Sequence, residues 1–362
     1  MNMNRRMISL LLTGFFLLTS LFAQAQEIKA IKELPATPVK NQANSGTCWS
    51  FAAVSLFESE LIRMGKGEHD LSEMYFVWMA YLSKADRYFR LQGNTNFSGG
   101  GQAHDVTDLL SLYGGLPEEA FSGLLKGSTK HDHMEMDAVL AALMKTVVNP
   151  EIEKPDTKWR QAYDSVLSIY LGKIPSEFTV EGKKYSSHSY ARSLGLYSGD
   201  YIELTSFTHQ PFYRKFVLEV PDNWSAGLYY NLPLDELIKV MVYALENGYT
   251  FSWDGDVSGP VSFGANNGIA VMSDETRIVS QEERQEAFDR FITTDDHLMH
   301  ITGLGKDENG RSYFLTKNSW GTSKGNKGYW WMSENYVRMN TICIMLHKNA
   351  LPEDVAVKLG LE

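Results

Sequence analysis

The sequence is short of cysteine, with only Cys48 and Cys343 among its 362 residues. Small secreted folds that rely on disulfide bonds carry several cysteine pairs, so this class of protein is excluded. A single bridge between the two cysteines would consume the reactivity of both thiols. We therefore predict two free thiols, with Cys343, in the apolar run at 341–345, as a buried strand residue.

Basic residues are also few. The chain has 34 Lys and Arg residues and 44 Asp and Glu residues, which gives a formal net charge of −10. An acidic protein is a poor partner for nucleic acid or anionic lipid, so we expect neither. The histidines show no metal-ligand spacing, and we expect neither a metal nor a cofactor. Beyond residue 25 no run is long and apolar enough to span a bilayer, so we expect no membrane anchor.

The first 25 residues have a different character. Arg5 and Arg6 precede an apolar run at 8–22, and Ala23-Gln24-Ala25 has the small-x-small pattern of a cleavage site. We predict a signal peptide at 1–25 and an exported protein, periplasmic or extracellular. A transmembrane anchor is the alternative, but the run is short and ends in a cleavage pattern.

The rest of the chain has ordinary globular composition, 43% hydrophobic and 22% charged, and is long enough to bury a large core. Apolar periodicity predicts helices at 48–64, 71–90, 102–113, 134–146, 158–171, 235–247 and 281–291. Strands are predicted at 297–305, 312–318, 328–333 and 341–347. We therefore expect a helical N-terminal region at 26–245 and a β-rich C-terminal domain at 246–362.

Four residues, far apart in sequence, supply the parts that a cysteine nucleophile needs for acyl transfer. A thiol becomes reactive when a base takes its proton, and His297 is the candidate base for Cys48. An Asn side chain can hold the imidazole in one orientation, which is the role expected of Asn318. The oxyanion needs aimed donors, which Gln42 and the Cys48 backbone N–H would supply. Since Cys48 begins a helix, we also expect the helix N-terminus to lower its pKa.

Each of these residues has an ordinary structural alternative. Free Cys is usually a buried core residue, Asn318 could be a turn amide, and Gln42 could lie on a surface loop. His297 competes with His300, because positions three apart on a strand face opposite sides and only one can point into a cleft. We favour His297, and the four residue types together favour catalysis.

The sequence around these residues resembles the papain-like cysteine peptidases. Residues 39–42 lead into 45–52, and Asp296-His297 and 317–321 resemble the His and Asn segments of that family. The resemblance implies an α+β fold of two domains with a cleft between them. A helical domain would carry the Cys helix, and a β-barrel-like domain would carry His and Asn. The implied reaction is hydrolysis of peptide bonds through a thioester acyl-enzyme.

The same resemblance suggests the substrate-binding residues. A similar glycine pair lines the cleft in that family, so Gly100 and Gly101 are expected to pair with an extended substrate through their bare backbone. Trp49 and Asp296 belong to the matching Cys and His segments. Trp320 is expected to cover the Asn–His hydrogen bond and exclude water from it.

Within the family, the chain is most similar to the bleomycin hydrolase and aminopeptidase C branch. Ser45 stands where secreted papain relatives have a disulfide-forming Cys, and His297 lies well beyond the roughly 130–150 residues that separate Cys and His in the papain pattern. The additional residues imply a helical insertion. Local similarity to that branch is found at 100–102, 167–172, 175–179 and 230–233. This branch implies aminopeptidase activity on peptides or unfolded proteins.

The chain departs from that branch at its ends. The relatives have a long segment before the nucleophile loop, used in hexamer assembly, and a C-terminal tail whose carboxylate captures the substrate amine. Here the chain stops at Glu362, and the tail is expected to be too short to reach the cleft. Oligomerisation therefore stays open, and an open-cleft endopeptidase and a catalytically silent binding protein are the alternatives. Acidic residues such as Asp254, Asp256 and Asp295 could replace the tail carboxylate.

Overall fold

The protein is described here by a computed structural model that covers residues 27–152, 156–258, 262–264 and 267–361. The predicted signal peptide at 1–25 lies outside the described residues. Within the covered ranges, no helix has both the length and the apolar character that crossing a membrane requires.

The described residues contain ten α-helices, and the first six make up most of the first half of the chain. They are α1 (Cys48–Arg63), α2 (Glu73–Arg90), α3 (Ala103–Tyr113), α4 (Met134–Val147), α5 (Lys158–Leu171), α6 (Ser187–Leu194), α7 (Leu234–Glu246), α8 (Gln281–Asp289), α9 (Glu334–Asn340) and α10 (Glu353–Leu359). Every residue of α1 from Cys48 to Leu61 is buried. A helix that is apolar on nearly all sides must be enclosed, and α1 is the central helix of this half.

A large mixed sheet forms the other half. The strands are β1 (Ile28–Glu33), β2 (Phe178–Val180), β3 (Lys183–Tyr185), β4 (Tyr201–Thr205), β5 (Lys215–Val217), β6 (Leu228–Asn231), β7 (Phe251–Gly255), β8 (Ser262–Gly264), β9 (Ile269–Val271), β10 (His297–Asp307), β11 (Ser312–Lys317), β12 (Tyr329–Ser333) and β13 (Thr341–His347). Their order in the sheet is β5-β6-β4-β13-β7-β10-β11-β12-β9-β8, with β1 also pairing with β10, while β2 and β3 form a separate hairpin.

Three apolar cores are found among the described residues, and two of them lie on either side of the contact between these halves. One surrounds α1, α2 and α3 and includes Leu298 from β10. The other lies between the sheet and helices α7, α9 and α10. Because α1 packs directly on β10, the first residue of α1 and the first residue of β10 belong to the same region of the molecule.

The predicted α+β fold is confirmed, and each predicted helix and strand is present with ends that differ by at most two residues. The sequence did not reveal α6, α9 and α10, which have only seven or eight residues and thus show little periodicity. The sheet also includes β1, β4, β5 and β6, which precede residue 246, where the β-rich domain was expected to begin. Three of these strands have five residues or fewer, too short for alternation to be informative.

The stability of the central helix can be tested at Phe57, which is fully buried in α1. We expect Phe57→Ala to lower the free energy of unfolding by about 3–5 kcal/mol, because it removes an aromatic ring from a packed core. Phe291→Ala is the matched control, since that ring is 84% exposed, and its effect should stay within about 0.5 kcal/mol. Urea denaturation measures both, and equal effects would contradict a buried central helix.

Candidate active site

The four predicted catalytic residues converge where α1 meets β10 and β11. Cys48 is the first residue of α1, and His297 is the first residue of β10. Asn318 directly follows β11. The segment before α1 is joined to this strand end, because the backbone N–H of Gln42 donates to the carbonyl of Ser319 at 2.8 Å.

His297 is held on two sides. Its Nε2 lies 2.8 Å from Oδ1 of Asn318, and its ring stacks on Trp320 with 4.7 Å between ring centroids and 25° between planes. Asn318 Oδ1 also accepts from the backbone N–H of Ser319 at 2.6 Å. An amide oxygen only accepts, so Nε2 must carry the proton, which leaves Nδ1 as the basic nitrogen. Trp320, itself edge-on to Trp330, stacks on the ring that makes this bond.

The competing histidine points elsewhere. Nδ1 of His300 is 2.8 Å from the hydroxyl of Ser55, on the opposite side of the strand from His297. Burial, together with the positive charge of Lys317, lowers the pKa of His300 well below its usual value. His300 is therefore a neutral buried residue, and the histidine that bonds to Asn318 and stacks on Trp320 is His297.

The side chain of Gln42 is oriented by a residue that the sequence did not single out. The hydroxyl of Ser319 donates to Oε1 of Gln42 at 2.5 Å. With its oxygen occupied, Gln42 has its Nε2 amide hydrogens to offer, and no described residue accepts a bond from them. The backbone N–H of Cys48 lies at the start of α1 and so lacks an intrahelical partner. Both groups can donate to an oxyanion.

The pKa of Cys48 departs from the sequence-based expectation. Burial, together with the carboxylates of Asp254, Asp222 and Asp295, raises the pKa of its thiol to about 12. The backbone N–H of Leu298, next to His297, donates to the sulfur and lowers the pKa in part. The predicted lowering by the helix N-terminus is therefore wrong for the unliganded site, because lost hydration and nearby negative charge outweigh it.

Burial also lowers the pKa of His297, against the raising effects of Asn318 and Asp296. Without substrate, the site thus favours a neutral thiol beside a neutral imidazole. Moving the proton from Cys48 to His297 creates a charge pair in a buried place. Such a pair titrates as one unit, so the ionisation of Cys48 depends on any charge brought near it.

The predicted substrate-binding glycines lie in the glycine segment, residues 98–101. Lys84 is buried and donates to the carbonyls of Ser98, at 2.8 Å, and of Gly100. Trp49 donates from Nε1 to the carbonyl of Gly99 at 3.1 Å and is itself only 1% exposed. Trp49 thus supports the glycine segment from below and offers no surface to a substrate.

Asp296, another predicted substrate-binding residue, is exposed beside His297. Its carboxylate accepts from the backbone N–H of Val257 at 3.1 Å. It therefore ties the loop after β7 to the start of β10. Its negative charge acts on the His297 imidazole, where it raises the pKa.

Three carboxylates, which we call the acidic cluster, lie close to the glycine segment and Gln102: Asp222, Asp254 and Asp295. Oδ2 of Asp295 accepts from Nε2 of Gln102 at 3.1 Å, which links the two walls of the cleft. Burial and the neighbouring Asp222 raise the pKa of Asp295 to about 7. Asp254 and Asp295 were weighed from the sequence, whereas Asp222 lies in a loop, far from any motif, and no sequence signal identified it.

The second cysteine, Cys343, contacts the acidic cluster through Asp254. Cys343 lies in β13, as predicted, and both cysteines are free thiols. Its Sγ is 3.5 Å from Oε1 of Gln102 and 3.7 Å from Oδ2 of Asp254. Across the described ranges, no group of three or more His, Cys, Asp or Glu side chains could hold a metal ion.

Residues 19–361 match the Peptidase C1-like family. Aminopeptidase G of Lactobacillus delbrueckii subsp. lactis is 22% identical over 366 residues, which cover 89% of this chain and 83% of that protein. Aminopeptidase C of Streptococcus thermophilus is 24% identical, over 88% of this chain and 82% of that protein. The crystal structure of PepW from Lactobacillus rhamnosis HN001 (DR20) superposes with a TM-score of 0.77 at 19% identity, covering 93% of this chain and 85% of that one. These likenesses extend over both walls of the cleft.

The influence of the acidic cluster on Cys48 can be measured by alkylation. We expect Asp222→Asn to move the pH midpoint for iodoacetamide modification of Cys48 downward, since removing a negative charge lowers the cost of forming the thiolate. Mass spectrometry of the Cys48 peptide gives the rate at each pH. Glu219→Gln is the matched control, because that side chain, 57% exposed, lies three residues away and bonds to His209. An unchanged or higher midpoint in Asp222→Asn would contradict the effect.

Proposed function

The chain belongs to the Peptidase C1-like family and is a cysteine-type peptidase, and we propose that it is an exported aminopeptidase whose chemistry is carried by Cys48, His297, Asn318 and Gln42. The observation that carries this proposal is the hydrogen bond between His297 Nε2 and Asn318 Oδ1 under Trp320. It leaves Nδ1 as the base in a site that also contains a thiol and two oriented oxyanion donors.

In the proposed reaction, Sγ of Cys48 bonds to the scissile carbonyl carbon as its proton passes to Nδ1 of His297. Gln42 Nε2 and the Cys48 backbone N–H donate to the resulting oxyanion. The imidazolium then gives its proton to the leaving amine, the C–N bond breaks, and a thioester remains on Cys48. Water attacks the thioester with His297 as base, the C–S bond breaks, and the thiol regains the proton.

Asn318 acts as a positioning residue in this scheme. Its Oδ1 keeps the His297 ring in one tautomer while the proton moves on and off Nδ1. The same bond favours the imidazolium, as the raising effect of Asn318 on the His297 pKa indicates. Ser319 in turn fixes Asn318 through its N–H and Gln42 through its hydroxyl, so the base and the oxyanion donor share one support.

Aminopeptidase action is favoured over endopeptidase action by two observations. The matching curated proteins are named as aminopeptidases. The cleft also has Asp222, Asp254 and Asp295 close enough to affect Cys48, and negative charge suits a free N-terminal amine. An open-cleft endopeptidase is the second candidate, because Gly100 and Gly101 offer bare backbone to an extended chain.

The test uses one peptide with a free N-terminus and its N-acetylated twin, digested by the purified protein under reducing conditions. We expect stepwise loss of residues from the free peptide only, read by mass spectrometry. Cys48→Ala is the control and should abolish turnover without changing the fold. Internal cuts in both peptides would establish the endopeptidase instead. Residual activity of Cys48→Ala that thiol reagents inhibit would contradict the assignment of the nucleophile.

Export is proposed from residues 1–25 alone, with Arg5 and Arg6 before an apolar run and Ala23-Gln24-Ala25 at its end. N-terminal sequencing of protein recovered outside the cytoplasm should begin at Gln26. Replacing Ala23 and Ala25 with bulky residues should block cleavage and keep the longer form, because the processing site requires small side chains. Recovery of the protein in the cytoplasm with residues 1–25 intact would contradict export.

A further inference from the structure

The loop at 218–227 crosses from one wall of the cleft to the other. On the helical side, Pro221 accepts at its carbonyl from Nδ2 of Asn96 at 3.0 Å. On the β side, the backbone N–H of Asp222 donates to the carboxylate of Asp295. Trp224 anchors the loop from below, donating from Nε1 to Asp105 at 2.8 Å. The loop therefore spans the cleft beside the glycine segment.

The carboxylate of Asp222 is in contact with the glycine segment. Oδ1 accepts from Asn96 Nδ2 at 3.0 Å and lies 3.4 Å from the hydroxyl of Ser98. Oδ2 lies against Gly100, only 1.8 Å from where a Cβ would stand, and no described residue donates to it. Only glycine at position 100 allows the carboxylate to reach this place. An acidic oxygen is thus held against the backbone that was predicted to bind substrate.

One carboxylate oxygen of the acidic cluster, on Asp254, has no hydrogen-bond partner within the described part of the chain. Asp254 is 1% exposed, and its Oδ1 is buried without a hydrogen-bond donor among the described residues. Burial and the nearby Asp295 raise its pKa well above the usual value. Lys84 acts on Asp222, but it is committed to the carbonyls of Ser98 and Gly100. A buried carboxylate oxygen without a partner is costly, and a cation or proton would satisfy it.

The position of the leaving group indicates which part of the substrate lies on the side of Cys48 where the acidic cluster is found. His297 must reach the leaving amine, so the leaving portion lies on the side of His297 and Trp320. The acyl portion then lies on the other side, toward the glycine segment. In the first residue of a peptide, the amine nitrogen is about 2.5 Å from the scissile carbonyl carbon. A cation-binding group near Cys48 on this side therefore meets the N-terminus of a peptide cut at its first bond.

We propose that Asp222, Asp254 and Asp295 bind the N-terminal ammonium group of the substrate, and that the loop at 218–227 closes the cleft beyond it. This inference rests on the proposed function and identifies an internal loop as the exopeptidase determinant. The C-terminal helix α10 packs on α7 through Lys239–Asp354 and Glu236–Lys358 ion pairs, at 2.7 and 2.6 Å.

Binding of the ammonium group would also activate the nucleophile. The carboxylates that hold the substrate are the ones that raise the pKa of Cys48 in its absence. A bound positive charge offsets them and favours transfer of the thiol proton to His297. The thiol would thus become reactive when a substrate with a free amine is in place.

The test separates binding from catalysis by measuring both. Calorimetry on the Cys48→Ala protein compares alanyl-alanine with N-acetyl-alanyl-alanine. We expect the free dipeptide to bind and the acetylated one not to bind. Adding Asp222→Asn should weaken binding of the free dipeptide about 10- to 100-fold, the range for losing a charged hydrogen-bond partner. Glu219→Gln, in the same loop and 57% exposed, should change nothing. Because no turnover is needed, this result stands even if the catalytic assignment fails.

Turnover with Cys48 intact provides the second readout. Asp222→Asn should lower kcat/KM for alanyl-aminomethylcoumarin by the same factor, mainly through KM. Gly100→Ala should act in the same direction, since its Cβ displaces the Asp222 carboxylate without removing the charge. Circular dichroism confirms that each variant is folded.

Three results would overturn the proposal. Equal binding of free and acetylated dipeptides would show that the amine is not recognised. Unchanged binding in Asp222→Asn would remove that residue from the site. Cleavage of an N-acetylated peptide after an internal lysine, lost in Asp222→Asn, would mean that the cluster receives a side-chain cation instead.

Discussion

The polar network buried between α1 and the β-rich wall is the constraint on which the geometry of the site depends. Glu58, in the middle of α1, accepts from Thr37 and lies 3.5 Å from Lys40. Lys317 donates to Ser55 at 2.8 Å and to Thr37 at 3.1 Å. Buried charges are tolerated only when they are paired, so α1 cannot shift against the segment before it or against β11 without exposing an unpaired charge to the interior. Cys48, Gln42 and Asn318 lie at the ends of the elements that this network joins, and they keep their relative positions for that reason.

Much of this arrangement could be predicted from the sequence, because the groups that carry chemistry lie in local patterns. The apolar run after Cys48 indicated a buried helix, and the position of Asn318 after a predicted strand placed it at a strand end. Strand alternation indicated that only one of His297 and His300 can face the cleft, and the resemblance of Asp296-His297 to the family's His segment selected His297. Ser319 was part of the recognised segment, but its role as the shared support of Asn318 and Gln42 depends on a contact across 277 positions of sequence, which no local pattern contains.

The features that the sequence did not predict depend on burial and on contacts between distant parts of the chain. From the local sequence, the helix N-terminus is expected to lower the pKa of Cys48. In the structure, desolvation and three carboxylates that are distant in sequence raise that pKa instead. Asp222 belongs to a loop without a motif, and its importance arises only because Gly100 leaves room for it. The short strands β4, β5 and β6 likewise acquire their place from pairing with β13 and with one another rather than from their own residues.

The fit of Asp222 against Gly100 also constrains how this protein can change over time. The two positions are separated by more than a hundred residues, yet any side chain at 100 would collide with the carboxylate at 222. A side chain at position 100 therefore requires that the acid at 222 has moved or been lost, so a change at 100 should accompany a change at 222. In a lineage where position 222 has lost its acid, the requirement for glycine at 100 is relaxed, and the two columns of an alignment should vary jointly.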